Sequence, residues 1–239
     1  MVANSGAYSL IQEDGSVTVW GYNGTSADAS GVFSELNGSI DVVDIYANTY
    51  SFAAIREDGS VVTWDDNVFY GLSQNEISDI QSKLDGTIDV IKIIPNNEYY
   101  AAIREDGSVV AWGPSYEGGA LSPGELKSFD ENGIYVVDVS SKLDGTIDVI
   151  EIIPNVNSYA AIREDGSVVA WGHQSYGGTL LDSNGNSIAD KVDGTIDVVQ
   201  ITGNTQSFAA LREDGSVVTW GFGNGSNSSS VASELDGSI

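Results

Sequence analysis

One phrase occurs five times along this chain, and it constrains the fold more than any other feature. The copies read IQEDGSVTVWG from Ile11, IREDGSVVTWD from Ile55, IREDGSVVAWG from Ile103 and from Ile162, and LREDGSVVTWG from Leu211. Each copy contains one tryptophan, at Trp20, Trp64, Trp112, Trp171 and Trp220, and successive tryptophans lie 44 to 59 residues apart. A period of this length made of strand-like segments predicts a propeller or a solenoid.

The second copy shows how one repeat is built. Segments 40–46, 51–56 and 61–64 are rich in β-branched, aromatic and alanine residues, which indicates three strands. Asp58-Gly59 joins the last two strands, and an Asp-Gly pair between apolar runs predicts a tight antiparallel hairpin. The variable stretch after Trp64 is expected to hold a short outer strand. A blade of three to four antiparallel strands cannot bury both faces alone, so we expect each tryptophan to pack between neighbouring blades.

The two chain ends are in matching phase within the repeat. Residues 233–239 resemble 34–40, and residues 1–4 resemble 45–48, so the chain starts and stops inside the same strand region. We therefore predict an all-β fold with a single five-bladed β-propeller over residues 1–239. We further expect this propeller to be a monomer closed by juxtaposed N- and C-termini.

Charge and composition restrict the partners of this chain. The chain contains thirty-five acidic and nine basic residues, for a net charge of −26. This charge repels nucleic-acid phosphates and anionic membranes. We therefore expect no nucleic-acid partner, and the absence of a long apolar run predicts no membrane insertion. The start of the chain does not resemble a signal peptide. There are no cysteines, so stability must come from packing.

Two motifs carry a resemblance to a known family. They are DGSVVTWG at Asp214–Gly221 and SYGG at Ser175–Gly178. With the small apolar residues before each Asp-Gly, they make the chain resemble the regulator of chromosome condensation repeat, in the form found in large bacterial surface proteins. The resemblance implies a β-propeller and places the chain outside the cell or at its surface, within a larger protein. Familiar members have seven blades, so five repeats imply either a five-bladed ring, which we favour, or a fragment that recruits blades from elsewhere.

An asparagine recurs where the family has a glycine before its histidine. It stands at Asn4, Asn48, Asn96, Asn155 and Asn204, each eleven residues before a turn glycine. Asparagine tolerates left-handed turn geometry, so a structural turn is the favoured interpretation. The alternative is a ring of asparagines at one mouth of a central channel, which binds a polar ligand or an ion.

No residue pattern points to catalysis. His173 is the single histidine, and the Glu-Asp pairs recur identically in the hairpins, which favours structural turns over an active site. We therefore expect no enzyme activity and no cofactor. Asp182, Asn184 and Asn186 place oxygen donors at alternate positions, which makes them a weak calcium candidate, although the glycine expected at the sixth place is missing.

The segments after the tryptophans vary in length and content, whereas the strands barely change. Aromatic residues in these segments are the candidate binding residues, because Tyr and Phe in loops make good contact surfaces. They are Tyr70, Tyr116, Phe129, Tyr135, Tyr176 and Phe222. The favoured hypothesis is a protein-binding or adhesion module that presents variable loops on a rigid scaffold. The alternative is a lectin that binds glycans at repeated sites between blades.

Overall fold

The structure is a computed structural model that describes residues 1–21, 28–64, 68–114, 127–129 and 135–238. Side chains at 127–129, 135–137 and 224 are outside the description. The chain forms two compact units, Met1–Gly124 and Glu125–Ile239, which we call the first and the second unit and describe separately.

The first unit contains three antiparallel sheets, one for each repeat, which we call blades 1 to 3. Each sheet has three strands in chain order. Blade 1 consists of β1 (Val2–Ala3), β2 (Ala7–Ile11) and β3 (Val17–Gly21). Blade 2 consists of β4 (Val42–Ala47), β5 (Phe52–Arg56) and β6 (Val61–Trp64). Blade 3 consists of β7 (Val90–Pro95), β8 (Tyr100–Arg104) and β9 (Val109–Trp112).

The second unit contains the other two repeats. A hairpin of β10 (Lys127–Phe129) and β11 (Tyr135–Asp138) precedes blade 4, which consists of β12 (Val149–Pro154), β13 (Ser158–Arg163) and β14 (Val168–His173). Blade 5 consists of β15 (Val198–Gly203), β16 (Ser207–Arg212) and β17 (Val217–Gly221). The described residues thus form five sheets from five repeats, which confirms the predicted all-β, five-bladed propeller class. The juxtaposition of the chain ends involves both units and stays a prediction.

The segment after Trp64 forms a helix where a short outer strand was expected. Helix α1 (Gln74–Lys83) begins with a capping box, in which Ser73 and Glu76 each bond the other's backbone N–H. The segment lacks the alternation that a strand requires, and the capping box satisfies backbone N–H groups of the first helical turn. Ile80 is buried against the blades and anchors the helix. The cap and the burial of Ile80 therefore favour a helix over the expected strand here.

An outer strand does occur in blade 4, but the preceding repeat supplies it. Strand β10 runs parallel to β14, with Ser128 opposite Gly172, so the sheet order is β11-β10-β14-β13-β12. We expected only antiparallel pairing, because short turns join the three strands of a repeat. The long segment after Trp112 instead returns to the edge of the next blade, and a connection of that length permits parallel pairing.

A repeated hydrogen-bond network holds the Asp-Gly hairpins of blades 2 to 5. In blade 2, Gly59 has φ +74°, and the backbone N–H and hydroxyl of Ser60 both donate to Asp58 Oδ1. Arg56 Nε donates to Ser60 Oγ at 2.8 Å and lies 3.8 Å from Asp58. Equivalent networks surround Asp106, Asp165 and Asp214. The recurring Arg and Asp side chains therefore stabilise turns.

These turn aspartates have lowered pKa values. Burial raises the pKa of Asp58, but hydrogen bonds from Ser60 and the charge of Arg56 together outweigh burial, so its pKa lies below the usual value. Asp106 and Asp165 behave in the same way. At Asp214, hydrogen bonds from Ser216 are the largest cause of the lowered pKa. A carboxyl whose pKa is lower when folded stabilises the fold above its ordinary pKa, about 3.9, and loses that contribution as pH falls.

We predict a maximum in stability on the acidic side of neutrality. From pH 7 towards the isoelectric point of 4.1, falling charge repulsion raises the melting temperature. Below about pH 4, protonation of the turn aspartates lowers it again. Thermal unfolding across pH 2.5 to 7, at low and high salt, measures both the rise of the melting temperature towards pH 4 and its fall below pH 4, which we call the acid limb. Replacing Ser60, Ser108, Ser167 and Ser216 by Ala should flatten the acid limb, and a melting temperature that keeps rising to pH 2.5 would contradict this account.

Each tryptophan stacks on an aromatic residue of the neighbouring strand in its own blade. The ring centroids of Phe52 and Trp64 lie 5.3 Å apart, and those of Tyr100 and Trp112 lie 5.1 Å apart. Equivalent pairs are Tyr8–Trp20, Tyr159–Trp171 and Phe208–Trp220. Offset stacks of this kind contribute roughly 0.5–1.5 kcal/mol beyond their buried area. Side chains alternate across a strand, so each blade has a leading face with this pair and a trailing face on its other side.

Within each unit, the leading face of one blade packs on the trailing face of the blade before it. Trp112 and Tyr100 share a hydrophobic cluster with Ala53 and Ile55 of the trailing face of blade 2, and with Ile80 of helix α1. The leading face of blade 2 meets Ile11, Val17 and Val19 of blade 1 in the same way. That of blade 5 meets Ala160, Ile162 and Val168 of blade 4. The predicted packing of tryptophans between blades is therefore confirmed for Trp64, Trp112 and Trp220, whereas Trp20 is 42% exposed and departs from it.

Backbone contacts join successive blades as well. The turn carbonyl of Gly59 accepts from Val90 N, the first residue of the next blade, at 2.9 Å. In the second unit, the SYGG turn at 175–178 links blades 4 and 5. The Tyr176 carbonyl accepts from Asn155 Nδ2, and the Gly177 carbonyl accepts from Trp220 Nε1 at 3.1 Å. A Cβ on Gly178 would lie 2.3 Å from the Gly172 carbonyl, so only glycine fits there.

We predict that Gly178→Ala destabilises the second unit by about 1–3 kcal/mol, because the added methyl group overlaps a backbone carbonyl. Urea unfolding followed by tryptophan fluorescence measures the change. Gly31→Ala is the matched control, since a Cβ there meets nothing within 4 Å. Equal stability of the two variants would show that the close approach of Gly178 is not required.

Candidate interaction surface

The segments that follow the tryptophans, which we call connecting segments, form grooves beside the third strand of a blade. One of them lies in the first unit, has a volume of about 620 Å³ and is lined by Asp28, Glu35, Thr63, Phe69 and Gln81, among others. An equivalent groove of about 440 Å³ lies beside β17, and a smaller one of about 220 Å³ lies beside β14. The two larger volumes fall within the range of ligand pockets, about 300–1,000 Å³.

The two larger grooves share a framework but differ in charge. Both contain a turn arginine, Arg56 or Arg212, which donates to a neighbouring serine hydroxyl. The groove of the first unit adds Asp28, Glu35 and Asp85, whereas the groove of the second unit adds Asp182, Asp236 and Lys191. A hydrogen bond from the Ser30 hydroxyl is the largest cause of the lowered pKa of Asp28. The two grooves therefore lie at equivalent positions beside the third strand of a blade. Their charged residues differ because the connecting segments differ.

Two of the six candidate aromatic residues are more than half exposed. Tyr70 lies in the turn before helix α1 with 57% of its surface exposed, and Phe222 lies just after β17 with 60% exposed. Tyr176 is different, because it is half-buried and its ring meets His173 edge-on at 5.3 Å. Tyr176 thus contributes to the SYGG turn as well as to the surface.

The other three candidates are only partly covered by the structure. Phe129 and Tyr135 face each other across the β10–β11 hairpin, and their side chains lie outside the described residues. Tyr116 lies outside them altogether. The structure therefore brings Phe129 and Tyr135 to one hairpin of the second unit, and it places Tyr70 in the first unit.

Sequence reasoning missed a set of exposed apolar residues on the first strands. Val43, Ile91, Ile150 and Val199 are each more than half exposed. Each lies at a break in strand register, such as the one between Val42 and Asp44, where an extra residue turns the chain outward. Two adjacent apolar residues within an alternating strand were the available signal. Phe33, which is 71% exposed on a connecting segment, was also not selected.

The recurring asparagines form turns. Asn48 Oδ1 accepts from the backbone N–H groups of Tyr50 and Ser51, at 2.9 and 2.8 Å. The same pair of bonds recurs at Asn4, Asn96, Asn155 and Asn204. Asn155 also uses its amide group to hold the SYGG turn. These hydrogen bonds support the interpretation that the asparagines form structural turns. The binding of a ligand by the asparagines at a channel mouth stays a prediction.

The remaining candidates also have structural roles in the described residues. His173 Nδ1 accepts from Ser175 N at 3.2 Å, which caps the short turn that follows. Asp182 Oδ1 accepts from the backbone N–H groups of Asn184 and Asn186, so the proposed calcium ligands share one exposed turn. These bonds lower the pKa of Asp182, with the Asn186 N–H as the largest cause. Across the described ranges, no group of three or more His, Cys, Asp or Glu side chains is placed to hold a metal.

Membrane crossing by a helix finds no support in the part of the chain that the structure describes. None of its helices combines the length and apolar character that a bilayer span requires.

Comparison with known proteins identifies the fold through solved structures alone. No family model and no curated protein matches this sequence. Prp20p from Saccharomyces cerevisiae, the yeast RCC1 protein, is 18% identical and has a TM-score of 0.51. The match covers 91% of this chain and 56% of Prp20p.

Two further solved structures are similar at lower TM-scores. Human WBSCR16 is 17% identical with a TM-score of 0.49, and the match covers 91% of this chain and 60% of that one. The CRINKLY WD40 ectodomain of the Arabidopsis thaliana receptor kinase ACR4 is 10% identical with a TM-score of 0.47, at 92% and 69% coverage. This chain therefore spans between about half and two thirds of these relatives. The likeness to Prp20p shows an RCC1-like propeller repeat fold.

Proposed function

We propose that this chain is a non-catalytic module that binds a protein partner through its connecting segments, in adhesion or a related recognition task. The observation that carries the proposal is the contrast between repeated blades and non-repeated grooves. The blades supply rigid positions, while the connecting segments supply exposed aromatic residues and a different set of charges at each position. Binding residues commonly lie on variable loops that a rigid scaffold holds in place.

Fold relatives and surface chemistry support this proposal. The structure of Prp20p was described together with its binding to Gsp1p and histones, so a protein of this fold does bind other proteins. Tyr and Phe side chains are enriched in interfaces, because they bury a large area at a low entropy cost. The net charge of −26 favours a partner with a basic surface and fast association with it. We place this binding outside a bacterial cell or at its surface, on the basis of the repeat resemblance.

The glycan alternative is less well supported. Sugar sites repeated between blades need an exposed aromatic platform in each repeat. Four of the five recurring tryptophans are buried, and each stacks on an aromatic residue of its own blade. These buried tryptophans therefore cannot stack on a sugar ring. A glycan-binding site repeated in each blade would need other aromatic residues.

The test begins with a binding screen and ends with a matched pair of variants. The immobilised chain is exposed to secreted and envelope proteins of its source organism and, in parallel, to a glycan array. Any protein that is retained is purified, and its affinity and stoichiometry are measured by calorimetry. We expect one protein bound per chain, and the double variant Tyr70→Ser with Phe222→Ser should weaken binding at least about tenfold, as for interface anchors.

The control replaces exposed apolar residues outside the connecting segments. Ile91→Ser with Val199→Ser removes a similar exposed apolar area from the first strands and should leave the affinity unchanged. Equal loss in both double variants would contradict a role for the connecting segments. Multivalent glycan binding without a protein partner would favour the lectin alternative.

A further inference from the structure

Blade 1 has an exposed leading face, unlike the other four blades. Tyr8 is 47% exposed and Trp20 is 42% exposed, although their rings stack at 5.5 Å as in every other blade. The aromatic pairs of blades 2 to 5 are at most 3% exposed. Leu10 and Thr18 lie on the same face of blade 1 and are also partly or fully accessible. The aromatic pairs of blades 2 to 5 are therefore covered, and the pair of blade 1 is not.

The covered pairs show what fits on such a face. In blades 2, 3 and 5, the cover is the trailing face of another blade, made of small and β-branched side chains such as Ala53 with Ile55, or Ala160 with Ile162. The same contact occurs three times with different sequences around it. Shape and chemistry therefore specify the partner of the blade 1 face, which is a trailing face of the same kind of blade.

Blade 5 has a trailing face of this kind that is accessible. Leu211 is 37% exposed, whereas its equivalents Ile55 and Ile162 are 6% and 2% exposed. Ala209 and Val217 beside it are half-buried, and Val231 of the final connecting segment is 38% exposed. Repeat proteins require polar faces on their terminal repeats to remain soluble alone, and neither of these faces is polar.

We propose that the blade 1 face, made of Tyr8, Leu10, Thr18 and Trp20, binds the blade 5 trailing face of a second copy of this chain. The contact joins two different surfaces, so each copy carries one donor face and one acceptor face. Two copies joined in this way, or a longer series, bury the exposed tryptophan in the contact that the blades already use. A chain of charge −26 repels its own copies, so the association should strengthen when salt screens that repulsion.

Sedimentation velocity of the full chain at several concentrations, in 0.15 M and 0.5 M NaCl, tests the proposal. We expect a mass above 25.1 kDa that rises with concentration and with salt. The expectation of a monomer and this proposal thus differ in the mass that they predict. A mass of 25.1 kDa under all conditions, with Trp20 protected from quenching, would show that the chain covers its own face and would overturn the proposal.

Complementary variants identify the two faces. Trp20→Arg and Leu211→Arg should each raise the dissociation constant at least about 30-fold, which is the loss typical of an interface anchor. Ile91→Arg introduces the same charge at a more exposed apolar residue outside both faces and should associate like the unmodified chain. Circular dichroism checks that each variant is folded.

Mixing the two variants gives the sharpest result. A Trp20→Arg chain keeps an intact blade 5 face, and a Leu211→Arg chain keeps an intact blade 1 face. One productive contact therefore remains between them, and the mixture should form a heterodimer although each variant alone does not associate. No complex in the mixture, or association of Trp20→Arg at the unmodified strength, would refute the pairing of these two faces.

Discussion

The fold depends on one contact, which is the burial of an aromatic pair of one blade by the trailing face of the blade before it. A single three-stranded sheet has two sides and no other layer to cover them. Burying a large apolar side chain contributes about 1.5–3 kcal/mol, and the stacked partner adds to it. Each such contact between blades of one unit adds a similar contribution to the free energy of unfolding. Stability therefore grows with each added neighbour, as in other repeat proteins.

The turn networks are the second requirement, because they fix the register that puts both aromatic residues on one face. Asp58, Gly59 and Ser60 close the hairpin in a way that pairs Phe52 with Trp64. A shift of β6 by one residue would place Trp64 on the face opposite to Phe52 and separate the two rings. The turn glycine also approaches the next blade closely, since a Cβ on Gly59 would meet the Asp89 side chain at 2.4 Å. Local turn chemistry and the contact between blades are therefore coupled.

The repeated parts of the fold were predictable from sequence, and the connecting segments were largely not. Asp-Gly turns, alternating strands and the recurring Trp20 equivalents each carry a local signal that five copies reinforce. Helix α1 follows from a capping box at Ser73 that the repeat pattern does not contain. The parallel strand β10 depends on a long-range return of the chain, and the exposure of Val43 depends on a bulge. The last two features arise from tertiary context, whereas the capping box is a local signal that lies outside the repeated phrase.

The candidate site divides in the same way. Tyr70 and Phe222 could be selected from sequence because aromatic residues in variable segments are usually exposed. The grooves could not, because they need side chains from two connecting segments and a strand edge to meet. The SYGG motif could be seen, but its role as a link between Asn155 and Trp220 appears only in three dimensions. Function therefore rests on the parts of the chain that repeat least.

Hydrogen exchange of the five indole N–H groups, followed by NMR on the dilute protein, tests the central contact most directly. If the preceding blade covers the aromatic pairs of blades 2, 3 and 5, Trp64, Trp112 and Trp220 should exchange only when the surrounding blades open or unfold. Trp20 should exchange faster by orders of magnitude, since its face has no such cover. Fast exchange at Trp112, or equal protection at all five positions, would contradict the account.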